Sequence, residues 1–73
     1  MPTPCILDGL PVWRVIAGRK VWRSSDGSRL YTWDELHGEV EVFNKLGWHL
    51  GAQDPTTGMF IKEAVKGRHI NVR

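Results

Sequence analysis

YTWDELHGEVEVF, residues 31–43, sets tyrosine, tryptophan and alternating valines around one aspartate, one histidine and three glutamates. Read as a strand after Gly38, it points Val40 and Val42 to one face and Glu39, Glu41 and Phe43 to the other. Read as a helix, it places His37 and Glu41 one turn apart. Gly38 and the β-branched Val40 and Val42 weigh against the helix. One helical turn over Trp33 to His37, opening into a strand after Gly38, satisfies both patterns. The valines then take the core, and the two glutamates share the opposite face with His37 beside them.

Outward from this stretch, turn chemistry divides the chain. AGRK (17–20), SSDGS (24–28), NKLGW (44–48) and DPTTG (54–58) each hold glycine beside residues that favour turns. Segments of strand length lie between them: Val12 to Ile16, Val21 to Ser24, Arg29 to Trp33, Glu39 to Phe43 and Met59 to Lys62. The repeated VWR at 12–14 and 21–23 brackets a hairpin around Gly18. The expected fold is mainly β, α+β at most: one small domain, an antiparallel sheet of five or six short strands, and little helix. Trp33 and Trp48 are expected in the core. Pro2, Pro4 and Pro11 limit regular pairing, so the first ten or so residues are expected to be loose.

Composition bounds the function. Seventy-three residues make one domain near the lower size limit for independent folding. The single cysteine, Cys5, excludes an internal disulfide framework and points to a reducing compartment. No apolar run approaches the roughly 20 residues of a membrane span, and the start lacks the pattern of a secretion signal. A net charge of +2 permits an RNA partner without demanding one. Phosphate-binding glycine loops, paired-cysteine zinc patterns and nucleophile elbows are absent.

The charged cluster admits a specific chemistry. RNA cleavage by the 2′-hydroxyl needs a base for its proton, an acid for the leaving 5′-oxygen and a cation over the phosphorane. Asp34, His37, Glu39 and Glu41 supply acids and bases, and Arg68 in KGRH (66–69) is a candidate cation. A plainer reading makes the glutamates the wet face of a strand and His37 a turn residue. His49 and His69 have weaker cases for a direct role. Asp34, His37 and Glu41 could ligate a metal, but their spacing matches no strong metal signature, so no metal or other cofactor is expected.

Three stretches carry a family resemblance: WRSSDGSRLYTWDELHGEVE (22–41), GWHLGAQDPTTG (47–58) and KEAVKGRHI (62–70). Together, through the motif Y-x-W-D-x-x-H-G-E-x-E, they resemble the C-terminal nuclease domain of the ribosome-inactivating colicins and cloacin. The resemblance implies a highly twisted antiparallel sheet and a metal-independent ribonuclease that cuts small-subunit ribosomal RNA near the decoding site. It also implies an immunity protein, which charge complementarity would make acidic. By position, the family's catalytic residues fall on Asp34, His37, Glu41 and Arg68, while Tyr31, Glu39 and Lys62 match positions lining its active site. Glu41 would be the base and His37 the acid, with the opposite assignment left open.

The chain departs from the family in three ways. Phe43 stands where the family has a tyrosine. The net charge is low for these domains, which weakens phosphate attraction or points to a different RNA such as tRNA. Residues 1–21 fall outside the resemblance and read as an added hairpin, leaving 22–70 as the family-like core. The expected protein is a monomer when free and acts in a bacterial cytoplasm, as the tip of a larger secreted toxin or as a free-standing toxin with an antitoxin. The contrasting expectation is a non-catalytic module that binds RNA or protein on the same scaffold.

Overall fold

Six strands follow one another in the computed structural model, which describes residues 1–73: β1 (Val12–Ile16), β2 (Arg19–Arg23), β3 (Arg29–Asp34), β4 (Glu39–Asn44), β5 (His49–Gln53) and β6 (Phe60–Glu63). Each pairs antiparallel with the next, so the sheet is a simple meander. There is no helix. The turn expected over Trp33 to His37 is shifted by one residue: β3 runs to Asp34, and the Gly38 N–H then bonds the Asp34 carbonyl across a single tight turn. Strand β5 carries little strand signal in the sequence, because Gly51 and Ala52 are poor strand formers.

Short acceptor side chains close the later hairpins. Asp34 Oδ1 accepts from the His37 N–H, Asn44 Oδ1 from those of Leu46 and Trp48, and Asp54 Oδ1 from those of Thr56 and Thr57. Asp26 Oδ1 accepts from the Ser28 N–H and from the hydroxyls of Ser24 and Ser28. The Ser28 amide and hydroxyl, then the Ser24 hydroxyl, hold the Asp26 carboxyl down at about 2. A depressed folded-state value means its contribution is present above the unfolded value of 3.8 and is lost as pH falls towards about 2. Asp26→Asn is therefore expected to flatten the loss of stability between those limits, as read by thermal unfolding at a series of pH values.

Both faces of the sheet are covered at its central strands, and by segments that are not strands. On one face Cys5 and Leu7 pack on Val40, with Tyr31, Trp22 and Trp33 around them. The first residues are thus not uniformly loose: Ile6 N–H bonds the Pro55 carbonyl, and Cys5 and Leu7 are buried. On the other face Ile70 and Val72 of the C-terminal segment pack on Val21, Leu30 and Phe43. We call residues 65–72 the strap. It is tied down by Ile70 N–H to the Gly47 carbonyl and by His49 N–H to the Arg68 carbonyl.

Strand β4 is consequently buried on both sides. Val40 and Val42 are fully buried as expected, each contributing roughly 1.5–3 kcal/mol. Glu39 and Glu41 are buried too, so the open, wet glutamate face does not exist. Trp48 is half exposed, stacked at a tilt on His69 at the strap, and is not a core residue.

Candidate active site

Register decides which side chains meet. Thr32 lies opposite Glu41, Asp34 opposite Glu39, and Glu41 opposite Ala52, which in turn pairs with Lys62. Directly paired residues share a face. Asp34, Glu39, Glu41 and Lys62 therefore gather on one face, at the end where the tight turn delivers His37. The strap lays Arg68 over the same spot. Asp34, His37, Glu39, Glu41, Lys62 and Arg68 are thus brought together, as the sequence leads one to expect.

Tyr31 is not among them. It pairs with Val42 and packs with Cys5, Leu7 and Val40 on the opposite face. The two-residue period of the strand gives the site Thr32 in its place, so the expected lining role of Tyr31 is corrected.

The pairings within the cluster are specific. His37 Nδ1 lies 2.7 Å from Asp34 Oδ2, and the His37 backbone N–H donates to Asp34 Oδ1. Burial pushes the Asp34 carboxyl up, but the His37 ring bond, its backbone bond and its ring charge together hold that carboxyl below the usual carboxylate range. An ionised carboxylate only accepts, so His37 Nδ1 carries a hydrogen and Nε2 faces outward. With 54 % of its side chain exposed, His37 is open to solvent. Glu39 Oε1 holds the Lys62 ammonium at 2.6 Å. That bond raises the Lys62 pKa against its desolvation, with help from the charges of Glu39, Glu41 and Asp34.

Glu41 has two partners. Its Oε1 accepts from Arg68 at 3.1 Å, and its Oε2 lies 2.6 Å from His49 Nε2. His49, with only a weak case for a direct role from the sequence, is buried against Glu41. In a regular register Leu50 would face Phe43, but a bulge leaves Leu50 unpaired and sets His49 there instead. The bulge turns the His49 ring onto the Glu41 face, a re-aiming that bulges commonly perform.

A cleft of ≈ 560 Å³ runs from this cluster along the sheet, between Ile16 and Arg19 of the first hairpin and Ile70 and Asn71 of the strap. That volume lies in the range of small-ligand sites. A smaller hollow of ≈ 240 Å³ lies on the other side, towards Lys62 and Val65. Asp34, His37, Glu41 and Arg68 line both.

Donor atoms of Asp34, His37 and Glu39 approach within 4.8 Å of one another, so the possible ligand trio contains Glu39 in place of Glu41. Its acids are engaged already: Asp34 by His37, and Glu39 by an ammonium whose charge would repel a divalent ion.

The sequence model of the Cytotoxic family matches residues 8–71, and so takes in β1 and β2 as well as the stretches from Trp22 onward. Among curated proteins of Escherichia coli, the chain is 42% identical to Colicin E3 over 53 residues, 71% of its own length. Over the same length it is 40% identical to Cloacin and 38% identical to Colicin-E6. The chain spans only about a tenth of each of these relatives.

Proposed function

The chain belongs to the Cytotoxic family, and from that premise we propose that it is a toxin ribonuclease. It cuts small-subunit ribosomal RNA near the decoding site and so blocks translation, without a metal. One observation carries this reading: a half-open histidine, oriented by a carboxylate, shares a cleft with a second carboxylate and an arginine contributed from a separate segment. These are the acid, base and phosphate-binding groups that 2′-hydroxyl attack requires.

In the proposed reaction, Glu41 takes the 2′-hydroxyl proton as that oxygen bonds to phosphorus. The bond from phosphorus to the 5′-oxygen breaks, and protonated His37 gives its Nε2 proton to the departing oxygen. The products are a 2′,3′-cyclic phosphate and a free 5′-hydroxyl. Asp34 holds the His37 ring in the orientation that turns Nε2 outward. Arg68 starts on Glu41 and moves to the non-bridging phosphate oxygens, which releases a Glu41 oxygen to act as base. Arg19 lies along the cleft, where it can meet a neighbouring phosphate.

The test is incubation of the protein with intact ribosomes, followed by mapping of the RNA ends. A single new end near the 3′ end of the small-subunit RNA is expected. Cleavage of tRNA alone would move the substrate, and no cleavage of either would leave a binding module. Excess chelator is expected to leave the rate unchanged, because every proton transfer uses a protein group. Loss of activity in chelator with rescue by a divalent ion would make Asp34, His37 and Glu39 ligands.

A further inference from the structure

The two site histidines are wired in opposite senses. His37 bonds its carboxylate through Nδ1, is half exposed and keeps Nε2 free. His49 bonds its carboxylate through Nε2, is 1% exposed, and its Nδ1 accepts the Val65 N–H at 2.9 Å. A nitrogen that accepts from an amide carries no hydrogen, so the His49 ring hydrogen is on Nε2, aimed at Glu41 Oε2. A second ring proton would set donor against donor at Val65 in a buried site. With neither nitrogen free, His49 has no path for passing a proton to or from a substrate.

We propose that His49 is the positioning residue for Glu41. As a fixed Nε2–H tautomer it pins Oε2, so that Oε1, the oxygen Arg68 covers, is the one that receives the 2′-hydroxyl proton. The inference rests on the nuclease reading of the site. A carboxylate held at one end only can swing about its last torsion, and the lone pair that must meet the 2′-hydroxyl swings with it. His49 removes that freedom. Its own ring is steadied by the Val65 amide and by the edge of Phe43, 5.3 Å away between centroids. The bulge at Leu50 is what makes this contact geometrically possible.

Two substitutions separate positioning from mere packing. In His49→Gln the side-chain amide reaches as far as Nε2 and donates to Glu41, but it leaves the Val65 N–H without its acceptor. In His49→Asn the shorter side chain accepts from Val65 and cannot reach Glu41. Cleavage of ribosomes is expected to fall about 10²-fold in kcat for His49→Asn, the order expected for an angstrom of misplacement, with KM nearly unchanged. His49→Gln is expected to stay within about tenfold of the unsubstituted protein, as a retained donor still fixes the carboxylate. The reverse order, or equal losses in folded variants, would overturn the proposal and leave His49 as an anchor for the strap. Nitrogen-15 spectra of the histidine rings give a reading independent of activity: His49 should show an unprotonated Nδ1 and a protonated Nε2. A hydrogen on Nδ1 would overturn the proposal, whereas an inactive protein with the expected tautomer would sink the nuclease reading instead.

Discussion

On the proposed ribonuclease reading, His37→Ala and Glu41→Gln are each expected to lower cleavage by about 10²–10⁴-fold, the range for losing a positioned acid or base. The two substitutions differ in what else they disturb. His37 is half exposed at a turn, and its loss leaves the sheet and both clusters intact. Glu41 is buried between two donors, His49 Nε2–H and Arg68. A glutamine there turns its own N–H groups towards one of them, at a cost of about 1–3 kcal/mol for the unsatisfied donor. Activity of Glu41→Gln is therefore read at a temperature where unfolding curves show it folded.

The double substitution should lose little more than the worse single one, because acid and base act on one transition state. Arg68→Lys should also lose activity, since an ammonium lacks the planar fork that spans two phosphate oxygens. Wild-type cleavage by folded His37→Ala would end the assignment of His37 as the acid.

Gly51→Ala is expected to destabilise the fold by about 2–4 kcal/mol, combining backbone strain with overpacking. Gly51 has φ +142°, and a Cβ built there would lie 2.5 Å from the Lys62 carbonyl oxygen and 3.0 Å from the Phe60 ring. Strand β6 must withdraw to make room. Lys62 then leaves Glu39, and the bulge that aims His49 loses its neighbour. For a chain of this length total stability is roughly 4–11 kcal/mol, so the change is a large fraction of it. Gly27→Ala is the comparison: φ is +75° and nothing lies within 4 Å of the added atom. It should cost only the left-handed backbone penalty, roughly 1–2 kcal/mol. Equal losses in urea unfolding would show that the close approach of β6 is not what requires glycine at 51.

The difference between what was legible and what was not has physical causes. Alternation and turn chemistry are local, so the strands around Val12, Arg29 and Glu39 and the turns at Asp34 and Asp54 are visible in the residues themselves. The gathering of Asp34, His37, Glu39 and Glu41 follows from the same periodicity. Burial of the glutamates does not, because the strap that covers them carries no periodic signal: VKGRHINV is neither strand-like nor helical. The contact of His49 with Glu41 is hidden for a related reason. Plain alternation along β5 places Leu50, not His49, on the Glu41 face, and the local hint of a bulge is the isolated Gly51 beside it. Tyr31 erred the other way: its motif position pointed to the site, and its strand parity points away.

The strap has one more consequence, in the order in which the parts of the molecule come into being. A chain made from its N-terminus joins Asp34 to His37 within a single turn, then receives His49 for Glu41 once β5 has been added. Arg68 follows every strand. Until residues 65–72 are released and dock against Gly47 and His49, the nascent protein holds its cluster of acids and histidines but lacks the Arg68 guanidinium that completes it. On the proposed ribonuclease reading, synthesis order is thus a built-in delay, and a chain cut short before the strap is expected to be inactive.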